Sequence, residues 1–144
     1  MADVLFSYGG LFVWSFLSAT VVPLSSEAAL ALLVGTSRRV ALPVLVATAG
    51  NYLGACTTYW LGRRASRALG DRGAGSARAG RAARLLARHG RPVLLLSWVP
   101  VVGDALVACA GASRMPFLGF SVWVALGKGL RYLAVAWAAA GLSE

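Results

Sequence analysis

A chain of 144 residues that is 58% hydrophobic and 13% charged falls outside the range of soluble domains, which are nearer half apolar and about a quarter charged. The length holds one domain, too short for two membrane domains and long enough for a handful of spans. The net charge of +9 is concentrated in one stretch, so it speaks to orientation in a membrane more than to an anionic partner. Residues 4–34 are nearly uncharged, with Glu27 the one interruption. The stretch is too long for one span of about 20 residues and too short for two full spans with a turn. Pro23 sits inside it, where proline removes a backbone donor and breaks a helix, and Ser25 or Ser26 can cap a new one. The expectation is a broken helical hairpin that re-enters its own side. Such a break is tolerated at membrane depth only where protein or water covers it.

Residues 40–61 read as a full transmembrane helix. Gly50, Asn51 and Gly54 are the small and polar groups that suit close helix packing, and Tyr59 with Trp60 ends the span as an interfacial belt would. Residues 62–91 are expected to form a basic cytoplasmic loop. Nine arginines lie between Arg63 and Arg91, with one acid, Asp71, and an excess of arginine marks the cytoplasmic side. Residues 77–89 within it can form a short basic helix on the membrane surface. No aromatic residues interleave with the arginines, so nucleic acid is not an expected partner. Residues 92–112 are apolar again, broken by Pro100, Gly103 and Asp104, and read as a second broken hairpin. Residues 117–141 are the last span, with Lys128 and Arg131 in apolar surroundings.

The halves repeat. Pro23 precedes Glu27 by four residues and Pro100 precedes Asp104 by four; Gly50 follows Glu27 by 23 and Gly127 follows Asp104 by 23. A polar residue comes next in both, Asn51 and Lys128. Each half thus reads as a re-entrant hairpin followed by a crossing helix. An odd number of crossings inverts the second half relative to the first, as in the inverted repeats of secondary transporters. The fold class is all-α, with both acids carried near the bilayer middle.

Charges within a bilayer cost at least about 2.5–3.5 kcal/mol each at a helix centre, so each needs a partner, water or protonation, and each is a functional candidate. An acid withdrawn from water is favoured in its neutral form, which makes Glu27 and Asp104 candidate proton or counter-charge sites. Lys128 and Arg131, three apart on one helix face, are candidate ligands for an anionic lipid headgroup. Against this stand two plainer readings: buried ion pairs with no function, and cations that snorkel to an interface. Cys56 and Cys109 lack metal or redox spacing, and no metal or cofactor is implied. No nucleophile–base pair or phosphate-cradling loop is present, so an enzyme is not expected. The N-terminus lacks the basic region of a cleavable signal peptide. A chain this short encloses little by itself, which leaves a homodimer open.

The residues Ser15 to Thr20 leading to Pro23 and Ser26-Glu27, Gly50-Asn51-Tyr52-Leu53-Gly54, Leu94 to Asp104, and Leu126-Gly127-Lys128-Gly129-Leu130-Arg131-Tyr132 resemble the DedA superfamily, also called the SNARE-associated Golgi or VTT-domain family, and within it the small YqaA-like branch. The resemblance spans nearly the whole chain apart from the basic stretch. It implies two re-entrant hairpins with transmembrane helices, a multi-pass protein of the bacterial cytoplasmic membrane, and a role in moving phospholipid or polyprenyl phosphate between leaflets in support of envelope homeostasis. Glu27 matches the acid of the family's first hairpin and Pro100 the proline of its second. Larger members carry arginines around that proline; here Ser97 and Gly103 stand in those places, so a phosphate-binding role does not carry over to the second hairpin.

Overall fold

The computed structural model describes residues 2–19, 26–37, 39–69, 77–99 and 101–141, and among them it is all-helical. The order is α1 (Ala2–Ser18), α2 (Ser26–Ser37), α3 (Ala41–Leu69), α4 (Ala77–His89), a 3-10 helix (Arg91–Trp98), α5 (Val102–Ala112) and α6 (Phe117–Gly141). The two prolines expected to break the hairpins, Pro23 and Pro100, lie outside the described residues, as does Ser25.

The helical elements revise the boundaries of the basic region. α3 runs past Leu61 to Leu69 through Arg63, Arg64 and Arg67, which the expected loop boundary does not include, while α4 at Ala77–His89 is the short basic helix the sequence allows. Arginine is a good helix former, so a change from apolar to basic does not end a helix. Among the described helices α6 alone is long and apolar enough by composition to cross a membrane. The longer α3 mixes Asn51, Thr57, Thr58 and its arginines into the apolar pattern. At 1.5 Å per residue α5 reaches ~16 Å, and at 2.0 Å per residue the 3-10 helix also reaches ~16 Å, each about half of a hydrocarbon core.

The chain divides into two compact units, residues 1–54 with 128–144, and residues 55–127. In the first, α1 packs against α2. Its core takes Leu11 from α1, Leu30 and Val34 from α2, Val44 and Ala47 from the start of α3, and Tyr132 and Ala136 from the end of α6. These three- and four-residue spacings put each pair on one helix face. Gly50 and Gly54 bring α3 against α1: a Cβ on Gly50 would stand 2.5 Å from the Phe12 carbonyl oxygen, and one on Gly54 2.5 Å from that of Phe16. Both pairs are four residues apart, so the two backbones run in contact along one turn.

The second unit is also built of helices packed on one another. The 3-10 helix and α5 pack together, and α4 lies on both with Ala82 and Leu86 buried and Arg81, Arg84 and Arg88 exposed. Gly127 of α6 meets the Leu95 backbone of the 3-10 helix, as Gly50 meets Phe12, and Gly103 meets the backbone of Ser97. The turn between the 3-10 helix and α5 is held by Val99 N–H to Leu96 O at 2.9 Å and Gly103 N–H to Val99 O at 2.7 Å. It places Val101 at φ 67, a conformation a β-branched residue rarely adopts. α5 ends in a Schellman turn, with Arg114 N–H on Gly111 O at 3.0 Å and Met115 N–H on Ala110 O at 3.1 Å. Arg114 takes the left-handed position at φ 52. The fully buried Tyr59 donates to Met115 O at 2.5 Å and accepts from Arg63 Nη1 at 3.2 Å, within a cluster of Trp60, Phe117 and Phe120.

Candidate functional site

The polar side chains of the first unit converge. α6 presents Lys128, Arg131 and Tyr132 on neighbouring turns; α3 presents Asn51; α2 opens with Ser26 and Glu27; α1 closes with Ser15 and Ser18. Lys128 is 4% exposed and donates from Nζ to Asn51 Oδ1. Its ammonium is thus turned into the protein and not to the surface. An ammonium only donates, so this contact fixes the Asn51 amide with its oxygen toward Lys128 and its nitrogen away. That nitrogen donates to Tyr132 OH at 2.7 Å and Ser18 Oγ at 3.3 Å. The Tyr132 hydroxyl lies 2.6 Å from Ser26 Oγ, and Ser18 Oγ donates to Ser15 O at 2.9 Å. Ser26 thus begins α2 with its hydroxyl turned to Tyr132. Lys128, Asn51, Tyr132 and Ser26 form one chain of hydrogen bonds across three helices.

Beside it, Arg131 Nη2 pairs with Glu27 Oε1, the side chains 23% and 30% exposed. The pair is thus partly open, in contrast to Lys128. The named groups hold two cations against one carboxylate. Ser15, fully buried, and Thr48, one turn from Asn51 on α3, each hold a buried hydroxyl oxygen without a hydrogen-bond partner. Such groups cost about 1–3 kcal/mol when left unmade.

The structure therefore brings together Glu27, Asn51, Lys128 and Arg131. Gly50 and Gly54 act as close-packing positions in the same unit, and Gly127 and Gly103 do so in the second. Asp104 belongs to the second unit, half-buried in the first turn of α5. Ser15, Ser18, Thr48 and Tyr132 join the site without having been singled out for it. Tyr132 was legible in principle, four residues after Lys128 and on its face. Serines in apolar helices carry no comparable signal. Cys56 and Cys109 are half-buried and form no disulfide, and no group of His, Cys, Asp or Glu that could hold a metal occurs among the described residues.

Residues 22–141 match the model of the VTT domain, a stretch that contains every residue of this cluster except those of α1. The chain belongs to the VTT-domain family, within the DedA superfamily. It is similar to the inner membrane protein YqaA of Escherichia coli, 45% identical over 132 residues that cover 88% of this chain and 86% of the relative. The Shigella flexneri protein of the same name matches to the same extent. An uncharacterized Haemophilus influenzae protein is 42% identical over 133 residues, covering 87% of this chain and 82% of its own. No solved structure matches the chain. The family and its YqaA-like branch place this protein in the bacterial inner membrane, and the apolar helices agree.

Proposed function

We propose that this VTT-domain protein moves lipids with anionic headgroups between leaflets, with Glu27 coupling the movement to protons. The observation that carries the reading is the cluster itself. Lys128 is buried in an apolar helix, beside an Arg131–Glu27 pair that is partly open. Intramembrane ionisable groups of this kind are costly and mark transport paths. A phosphate arriving at Arg131 takes the place of the Glu27 carboxylate, since both accept from a guanidinium fork. Protonation keeps the displaced acid neutral, and its loss restores the pair once the lipid has left.

The membrane arrangement we propose is an inverted repeat of two re-entrant hairpins. Three observations support it. α1 packs on α2, as the two arms of a hairpin would. The 3-10 helix and α5 are each too short to cross. Each compact unit contains one broken hairpin, the first part of the long helix that follows it, and the last part of the other long helix. In this arrangement the arginine-rich α3–α4 stretch is cytoplasmic and both termini are outside.

The test is lipid translocation in proteoliposomes with labelled phospholipid and polyprenyl phosphate, comparing wild type with Glu27→Gln. Flipping by the wild type that the variant lacks is expected. An undiminished rate in the variant removes the carboxylate from the mechanism. A second reading, a proton or small-ion carrier on the same scaffold, is favoured by the continuous Ser26–Tyr132–Asn51–Lys128 hydrogen-bond chain. Flux that follows a pH gradient and ignores lipid would select it.

A further inference from the structure

A groove of about 480 Å³ runs between α1 and α2, lined by Ser7, Gly10, Leu11 and Trp14 on one wall and Ala29, Leu32 and Leu33 on the other. Each set follows helical spacing, so each is one stripe of its helix. The lining is almost wholly apolar, and its size lies within the range of small-molecule sites. A Cβ on Gly10 would meet nothing within 4 Å, so the floor stays open where a side chain would fit. On both helices the groove ends where the polar cluster begins: Ser15 and Ser18 follow Trp14, and Ser26 and Glu27 precede Ala29. The cluster beyond includes Lys128, Arg131 and Glu27 among the described residues, and the buried Ser15 hydroxyl lacks a partner.

We infer that the groove holds a fatty-acyl chain of the lipid whose anionic head meets Lys128 and Arg131. The substrate is thus an amphiphile read at both ends, charge by the cluster and chain by the α1–α2 stripe. This rests on the lipid reading above for the head but stands on the groove for the chain. Charge complementarity at one end and apolar walls at the other are what an anionic lipid needs.

The experiment uses the full chain in phosphatidylcholine nanodiscs holding a small fraction of phosphatidylglycerol with a mid-chain diazirine, and adducts are mapped by peptide mass spectrometry. Wild type is expected to carry adducts at Trp14, Leu32 and Leu33 above the level at the exposed Leu130 and Trp137 of α6, which report lipid that merely surrounds the protein. Gly10→Phe, which fills the groove from one wall, and Leu32→Trp, which fills it from the other, should lower them to that level. Gly9→Phe should leave them unchanged, because Gly9 is equally unhindered and does not line the groove. Adducts at the surrounding level in wild type, or unaffected by both filling variants, overturn the proposal. So does a disulfide between copies through Leu32→Cys that excludes the lipid probe. Flipping that persists without groove adducts would remove the acyl site and keep the transport reading. Groove adducts in a protein that flips nothing would do the reverse.

Discussion

Replacing Tyr132 by Phe removes one oxygen from the most connected point of the cluster and leaves the volume nearly unchanged. The side chain is 1% exposed, so water cannot take over its contacts. Its hydroxyl joins Ser26 at 2.6 Å and Asn51 at 2.7 Å, tying α2 and α3 to α6. A hydrogen bond between membrane helices averages about 0.6 kcal/mol and reaches about 1.7 at most. Two such bonds, lost without a cavity, therefore predict a cost of ~1–2 kcal/mol. Unfolding in mixed detergent micelles would read it, set beside Ser26→Ala and the double variant. Because both single changes break the same bond, their costs should fall short of adding in the double variant by about 0.5 kcal/mol or more. Additivity to within about 0.3 kcal/mol would refute the reasoning, since residues that share no interaction behave that way. Transport should fall in the same variant with insertion intact, because Asn51 loses the partner that sets its amide toward Lys128.

Gly50→Val and Gly54→Val should each destabilise the protein by ~1–3 kcal/mol, because a Cβ would meet the α1 backbone at 2.5 Å; Gly9→Val, in open space, should cost little by the same unfolding assay. Arg114→Gly should stabilise by ~1 kcal/mol by relieving the left-handed residue of the Schellman turn, and a loss of stability would mean that the arginine side chain contributes more than its backbone costs. Val101→Gly should likewise relax the second hairpin turn, read as a raised melting temperature in detergent. Reporter fusions should place residues 70–76 in the cytoplasm and both termini outside; cytoplasmic termini would replace the re-entrant hairpins with kinked spans.

The cluster was largely legible because a charge or amide in an apolar helix is conspicuous. Glu27, Asn51, Lys128 and Arg131 each interrupt a long apolar run, and the structure unites all four. What the sequence hid is what sequence signals treat as ordinary. Ser15, Ser18 and Ser26 differ little from serines on any helix, and their role follows from which helices face one another. The glycine spacing points to Gly50 and Gly127, and a Cβ there would meet the backbone of Phe12 of α1 and of Leu95 of the 3-10 helix. Gly62 and Gly111 do comparable work against Ala108 and Tyr59 yet stand near segment ends, where glycine is common for other reasons. The basic region misled in a different way. Polarity suggests a loop boundary, whereas α3 keeps its helix through three arginines because propensity and solvation are separate properties. The 3-10 form of the first arm of the second hairpin had no signal beyond Pro92.

The contact between Lys128 and Asn51 has a consequence for the repeat proposed here. The two residues occupy corresponding positions, each directly after the glycine that lies 23 residues beyond its acid, and they bond to each other. A position that meets its own counterpart can hold a lysine in only one half. Two ammonium groups at hydrogen-bond range in a medium of low dielectric would repel by several kcal/mol, and neither could accept from the other. Asparagine solves both difficulties, offering an oxygen to Lys128 and a nitrogen to Tyr132. Asn51→Lys should therefore harm folding far more than Asn51→Leu does, although lysine keeps a polar group there and leucine does not. Equal loss in the two variants, measured as the fraction that unfolds reversibly from detergent, would show that repulsion between the two ammonium groups adds nothing to the loss of the acceptor.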